Sequence, residues 1–131
     1  MHQEVLILAW GCVLLLVHIF LAIHFKTKQY GADWNMGARD SDLPPLNPVA
    51  GRLERAQANF LETFPVAVIA LFGVVLAGRS SEWTVLGGWL WLAARAVYLP
   101  LYWTGVKGWR TLAFLVSIVG LALVLIPLLI P

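Results

Sequence analysis

Four runs of apolar residues decide most of what this chain can become. Val5 to Phe25 holds no charged side chain, Trp83 to Trp103 holds only Arg95, and Leu112 to Pro131 holds none. Each is long enough to cross a hydrocarbon core of roughly 30 Å as a helix. The fourth run, Thr63 to Ala77, is short alone. Asn47 and Pro48 supply an earlier start, a cap residue followed by a proline at the first helical position. A helix from about residue 48 to about 77 would be roughly 45 Å long, amphipathic in its first half and apolar in its second. The expected fold is all-α: one integral membrane four-helix bundle over residues 1–131, with spans at about 5–25, 48–77, 83–104 and 110–130.

Composition points the same way. The 131 residues are 60% hydrophobic and 12% charged, with seven tryptophans. A chain this short cannot hide so much apolar surface in a core of its own, so lipid is its natural solvent. A formal charge of +2 is too small to suggest nucleic acid. Cys12 is the one cysteine, which excludes an intrachain disulfide. His2 and Glu4, rather than Lys or Arg, precede the first apolar run, and no small-residue cleavage site follows it. That run is therefore expected to be retained as a helix. The connection from Lys26 to Asn47 is polar and rich in turn formers, and reads as a solvated link rather than a cap over a site.

Basic residues set the expected orientation. Lys26, Lys28, Arg39, Arg52, Arg55, Lys107 and Arg110 fall on the side of the first and third loops, against Arg79 alone on the other. The positive-inside rule places those loops in the cytoplasm and both termini on the opposite side.

The second span carries the chemistry. Arg52, Arg55, Asn59 and Glu62 follow one another at intervals of 3, 4 and 3 residues. At 100° per residue they fall within an arc of about 80° on one helix face. A charged side chain at membrane depth costs about 2.5–3.5 kcal/mol, so this stripe must face other helices, another subunit or water. Either it is an ion-pair ladder, Arg55 with Glu62 or Arg52 with Glu54, or it is a polar site for a charged ligand. Arg95, Tyr98 and Tyr102 share a face of the third span, with Trp91. The aromatics alone would suit a membrane interface, but Arg95 sits near mid-span. Arg110 opens the fourth span at the same level as Arg55 and Tyr102, as a positive-inside anchor or as a site residue. His18 and His24 are six apart, which is not the spacing of a helical metal pair. No metal site is expected.

The run Arg55-Ala-Gln-Ala-Asn59-Phe-Leu-Glu62-Thr-Phe-Pro65 resembles the signature of the MAPEG family, the membrane-associated proteins in eicosanoid and glutathione metabolism. It is especially similar to that run in the family's leukotriene synthase. Arg95-x-x-Tyr98-x-x-x-Tyr102 looks like the family's third helix, and Arg110 falls near its thiol-activating arginine. The resemblance covers the second to fourth spans. It implies a homotrimer with glutathione, as cosubstrate, bound between subunits. Arg52, Arg55, Asn59, Glu62, Arg95, Tyr98 and Tyr102 would then be the binding residues and Arg110 the catalytic one. Arg55 and Arg95 would take carboxylates and Glu62 the ammonium, while Asn59, Tyr98 and Tyr102 would supply neutral hydrogen bonds. Arg110 would stabilise the thiolate. The lipophilic small-molecule substrate would arrive through the bilayer. Two departures stand out: Lys26 and Lys28 lie where some members place an arginine, and Thr63 stands where the leukotriene enzyme has tyrosine.

Two functions follow as expectations. The first is a glutathione-dependent transferase or peroxidase acting on lipophilic electrophiles. The alternative is a non-catalytic membrane protein of the same fold, whose polar faces serve trimer assembly or small-molecule binding. A transporter is a weaker third class, since four spans without broken-helix repeats give it little support.

Overall fold

In the computed structural model the described residues are 1–130, and all regular structure among them is helical: α1 (Gln3–Tyr30), α2 (Ala32–Met36), α3 (Pro48–Leu76), α4 (Glu82–Trp103) and α5 (Trp109–Leu129). Pro131, where the last apolar run ends in the sequence, lies outside the described residues. Four of the helices, α1, α3, α4 and α5, are long and apolar enough to cross a membrane. They run alternately up and down. One end of the bundle gathers Gln3, Leu76, Glu82 and Leu129, and the other gathers Tyr30, Pro48, Trp103 and Trp109.

Local chemistry fixes the helix ends. The Asn47 side chain accepts from the Ala50 amide at 2.9 Å, and Pro48 occupies the first turn of α3. Each satisfies or removes a donor that would otherwise be orphaned there. α4 opens with a reciprocal pair, Ser81 Oγ accepting from the Thr84 amide and Thr84 Oγ1 from the Ser81 amide. Arg79 donates to the carbonyls of Pro127 and Ile130, and so satisfies the C-terminal end of α5.

Packing divides the interior into two layers. The larger surrounds Phe60, Leu71, Val74, Trp91, Leu121 and Val124, with Ile7 from α1. The smaller joins Ala22, Leu53, Ala56 and Leu99 toward the Tyr30–Trp109 end. α4 and α5 touch backbone to backbone. A Cβ added at Gly87 would lie 2.5 Å from the Gly120 carbonyl oxygen, and one at Gly120 would lie 2.6 Å from that of Gly87. Only paired glycines permit this approach, a device common between membrane helices. Trp10, Phe20, Ile69, Phe72, Leu115 and Val119 point outward, as side chains facing acyl tails should.

The 26–47 connection is mostly exposed, as expected of a solvated link, but it is not slack. It contains α2 and is tied back to α1 and α3. Asn35 Nδ2 donates to Thr27 Oγ1 at 2.7 Å, Tyr30 Oη to the Pro44 carbonyl at 2.6 Å, and Gln29 Nε2 to that of Pro45 at 3.0 Å. Gln29 Oε1 accepts from the Asn47 amide, which fastens the strap beside the α3 cap. Arg39 lies over the Trp34 ring at 4.5 Å.

Candidate functional site

A cavity of about 430 Å³ opens near the Tyr30–Trp109 end, between α3, α4 and α5. α3 contributes Arg55, Ala58, Asn59 and Glu62; α4 contributes Tyr98 and Tyr102; α5 contributes Arg110, Thr111 and Phe114. The two faces read from spacing therefore meet, and Arg110 joins them. Of the eight residues singled out in the sequence, six line this cavity. The other two, Arg52 and Arg95, do not.

The cations of the site are held against neutral groups. Arg55 Nε donates to Tyr102 Oη at 3.2 Å. The Arg110 guanidinium lies 4.5 Å from the centre of the same ring, a cation–π arrangement. Tyr102 thus receives one arginine on its oxygen and another on its face, and its own hydroxyl proton stays free to be donated. Tyr98 packs edge-on against Tyr102, with centroids 5.5 Å apart, and beside Phe114 at 6.3 Å. Glu62 is the one acidic side chain lining the cavity.

Arg52 turns the other way. Its Nε donates to the Trp103 carbonyl at 2.9 Å, at the end of α4. This anchors the α4–α5 turn, where Gly105 takes a φ of +75°. The ion-pair ladder is absent. Glu54 pairs with Lys26 at 2.7 Å, and this is the only ion pair among the described residues. Neither Arg52 nor Arg55 meets a carboxylate, because α3 presents Glu54 toward α1 and the arginines toward α4.

Arg95 is fully buried, at 0% exposure. Its Nη1 donates to Asn59 Oδ1 at 2.7 Å. Its guanidinium lies over Tyr98 at 4.2 Å, with the Phe60 and Phe114 rings at 5.3 and 5.7 Å. Nε and Nη2 find no partner. A charge kept at this depth, at a cost of about 2.5–3.5 kcal/mol on insertion scales, marks a residue retained for more than packing. His18 also stacks on Phe60, at 4.9 Å, with both ring nitrogens unpartnered.

Sequence reasoning missed Ala58, Thr111 and Phe114 as lining residues. A signal existed for Phe114, which follows Arg110 by four and so shares its helix face. It also missed Glu4, which it read as a polar flank of the first span. Glu4 is buried at 1% exposure and accepts hydrogen bonds from Ser80 and Thr84 at the opposite end of the bundle.

The sequence model of the MAPEG family matches residues 7–130 of this chain. No curated protein and no solved structure matches it.

Proposed function

The chain belongs to the MAPEG family, and on that premise we propose that it is a membrane enzyme that activates the glutathione thiol for attack on a lipophilic electrophile. It is a multi-pass membrane protein of the glutathione and eicosanoid metabolism type, built as a four-helix bundle. Transferase or peroxidase chemistry is the reading its cavity supports best. The carrying observation is the grouping of Arg55, Tyr102 and Arg110 around one space in which Glu62 is the only acid.

The ligand's charges fit that inventory. Glutathione carries two carboxylates, one ammonium and one thiol. Arg55 keeps its two Nη groups for a carboxylate, since only its Nε is engaged with Tyr102. Glu62 takes the ammonium. Tyr98 and Tyr102 donate hydroxyl protons. Arg110 faces the thiol and favours its thiolate, because a neighbouring cation lowers a thiol's pKa and the thiolate is the nucleophile. Arg52, off the cavity, adds positive potential near its rim and helps steer a net anion.

Exposure supports an assembly of several copies, and the family resemblance makes it a homotrimer. Arg55, Ala58 and Glu62 are exposed on the single chain. Charged groups at membrane depth do not face lipid, so a second copy completes this wall of the cavity. The site faces the cytoplasm in this reading, with both termini opposite, as the basic loops require. The electrophile enters laterally from the bilayer.

The test is the ultraviolet absorbance of the glutathione thiolate in detergent-purified protein at neutral pH. The native chain is expected to generate it, and Arg110→Ala to lose it while keeping the same assembly. If neither forms thiolate and the assembly is intact, the enzyme reading fails. Its rival, a non-catalytic member whose polar faces hold the trimer together, then stands.

A further inference from the structure

Arg95 has no access to the cavity, yet it touches two of its lining residues, Asn59 by a hydrogen bond and Tyr98 by stacking. Arginine donates and never accepts. The Asn59 atom 2.7 Å from Arg95 Nη1 is therefore the carbonyl oxygen Oδ1, and the amide cannot be flipped. Nδ2, with its two hydrogens, is left on the other side, and no acceptor within the described residues takes them. We propose that Arg95 is a positioning residue: it locks the Asn59 amide so that the cavity presents a donor, and only a donor, at this level.

This rests on the proposed function and sharpens it. Along the cavity face of α3 the polarity then reads donor at Arg55, donor at Asn59 and acceptor at Glu62. A ligand that carries a carboxylate beside an ammonium, as the γ-glutamyl α-carbon of glutathione does, is held in a single direction. Its carboxylate or peptide carbonyl meets Arg55 and Asn59, and its ammonium meets Glu62. The reverse placement sets an ammonium against the Asn59 hydrogens. Arg95 suits the locking role because its own place is fixed. Tyr98, Phe60 and Phe114 surround the guanidinium, and nothing else among the described residues competes for Nη1.

The test is a double-mutant cycle read by titration calorimetry with glutathione, using Arg95→Met, Asn59→Ala and the pair. Each single change is expected to weaken binding about tenfold, the equivalent of one hydrogen bond to a charged group. The pair is expected to bind within about twofold of Asn59→Ala alone, because Arg95 acts only through Asn59. An equal, independent loss from Arg95→Met in the Asn59→Ala background means that Arg95 acts by a route other than Asn59, such as the Tyr98 ring it stacks on, and overturns the proposal. Asn59→Asp keeps the oxygen facing Arg95 and replaces the donor by a second oxygen. It is expected to bind glutathione no better than Asn59→Ala, and native affinity in it would also overturn the proposal. A third measurement needs no ligand. The side-chain amide signals of Asn59 in nitrogen-15 spectra, assigned by their loss in Asn59→Ala, should shift in Arg95→Met. Unchanged signals refute the lock. If the native protein does not bind glutathione at all, the proposed function fails while these spectra still decide the role of Arg95.

Discussion

At one end of the bundle Glu4 is buried and accepts from Ser80 and Thr84, while Arg79 closes the last turn of α5. At the other end Arg55 and Arg110 converge on Tyr102 at the wall of an open cavity. Both ends place ionisable side chains at the edge of an apolar bundle. The first uses them to join helix termini: a carboxylate meets two hydroxyls beside the α4 cap, and a guanidinium meets two carbonyls. The second sets its cations against a ring and a hydroxyl and faces them into space. Four arginines, Arg52, Arg55, Arg95 and Arg110, gather in that half, and none meets a carboxylate. Polar residues in a membrane protein are thus not one class. What separates a tie from a site is where the charge faces: Glu4 and Arg79 against helix termini, Arg55 and Arg110 into an open cavity.

The contrast can be broken in four places. The largest effect is expected at Arg110. Arg110→Ala should lower the rate of glutathione conjugation or peroxide reduction about a hundredfold, the scale of losing one well-placed electrostatic contact to a developing anion. Its thermal unfolding midpoint should stay within a degree or two of the native chain. Glu4→Ala should do the reverse. Unfolding in detergent should show a loss of about 2 kcal/mol, from a buried hydrogen-bonded carboxylate removed, with glutathione affinity unchanged. A rate defect in Glu4→Ala, or a stability defect in Arg110→Ala, would blur the distinction between the two ends.

Two smaller effects sharpen it. Glu62→Gln should weaken glutathione binding about tenfold while the oligomer, followed by light scattering, persists. Disassembly with unchanged affinity in the surviving oligomer would move Glu62 from ligand to interface. Lys26→Met should matter least. Its partner Glu54 is half exposed, and an exposed ion pair contributes less than about 1 kcal/mol. A larger loss in thermal unfolding would mean that the strap between α1 and α3 depends on this pair.

Much of this is legible in the amino-acid sequence. The length of the apolar runs and the Asn47-Pro48 start gave the four spanning helices and the long α3. The spacing of Arg55, Asn59 and Glu62 gave the part of the α3 face that lines the cavity, because helical phase is a local property. Long-range choices were not legible. Glu4 lies next to an apolar run in sequence, and its partners come 76 and 80 residues later. Arg52 and Arg55 share a stripe, yet one finds the Trp103 carbonyl and the other the Tyr102 hydroxyl. The family resemblance implied that Arg95 takes a ligand carboxylate. Its neighbours Phe60 and Phe114, from two other helices, bury it behind Asn59. Each depends on which helix packs beside which, and periodicity within one helix carries no record of that.

The glycine contact between α4 and α5 has a mechanical consequence. Two helices whose backbones touch at Gly87 and Gly120 form a stiff hairpin, with little side-chain cushion to slide on. Tyr98 and Tyr102 ride on one leg, and Arg110 and Phe114 on the other. Their mutual spacing is set before any ligand arrives. Arg55, Asn59 and Glu62 sit on α3, outside that hairpin. Whatever widening a bulky guest demands must therefore fall between α3 and the hairpin, at the cost of the Arg52–Trp103, Arg55–Tyr102 and Arg95–Asn59 hydrogen bonds that join them.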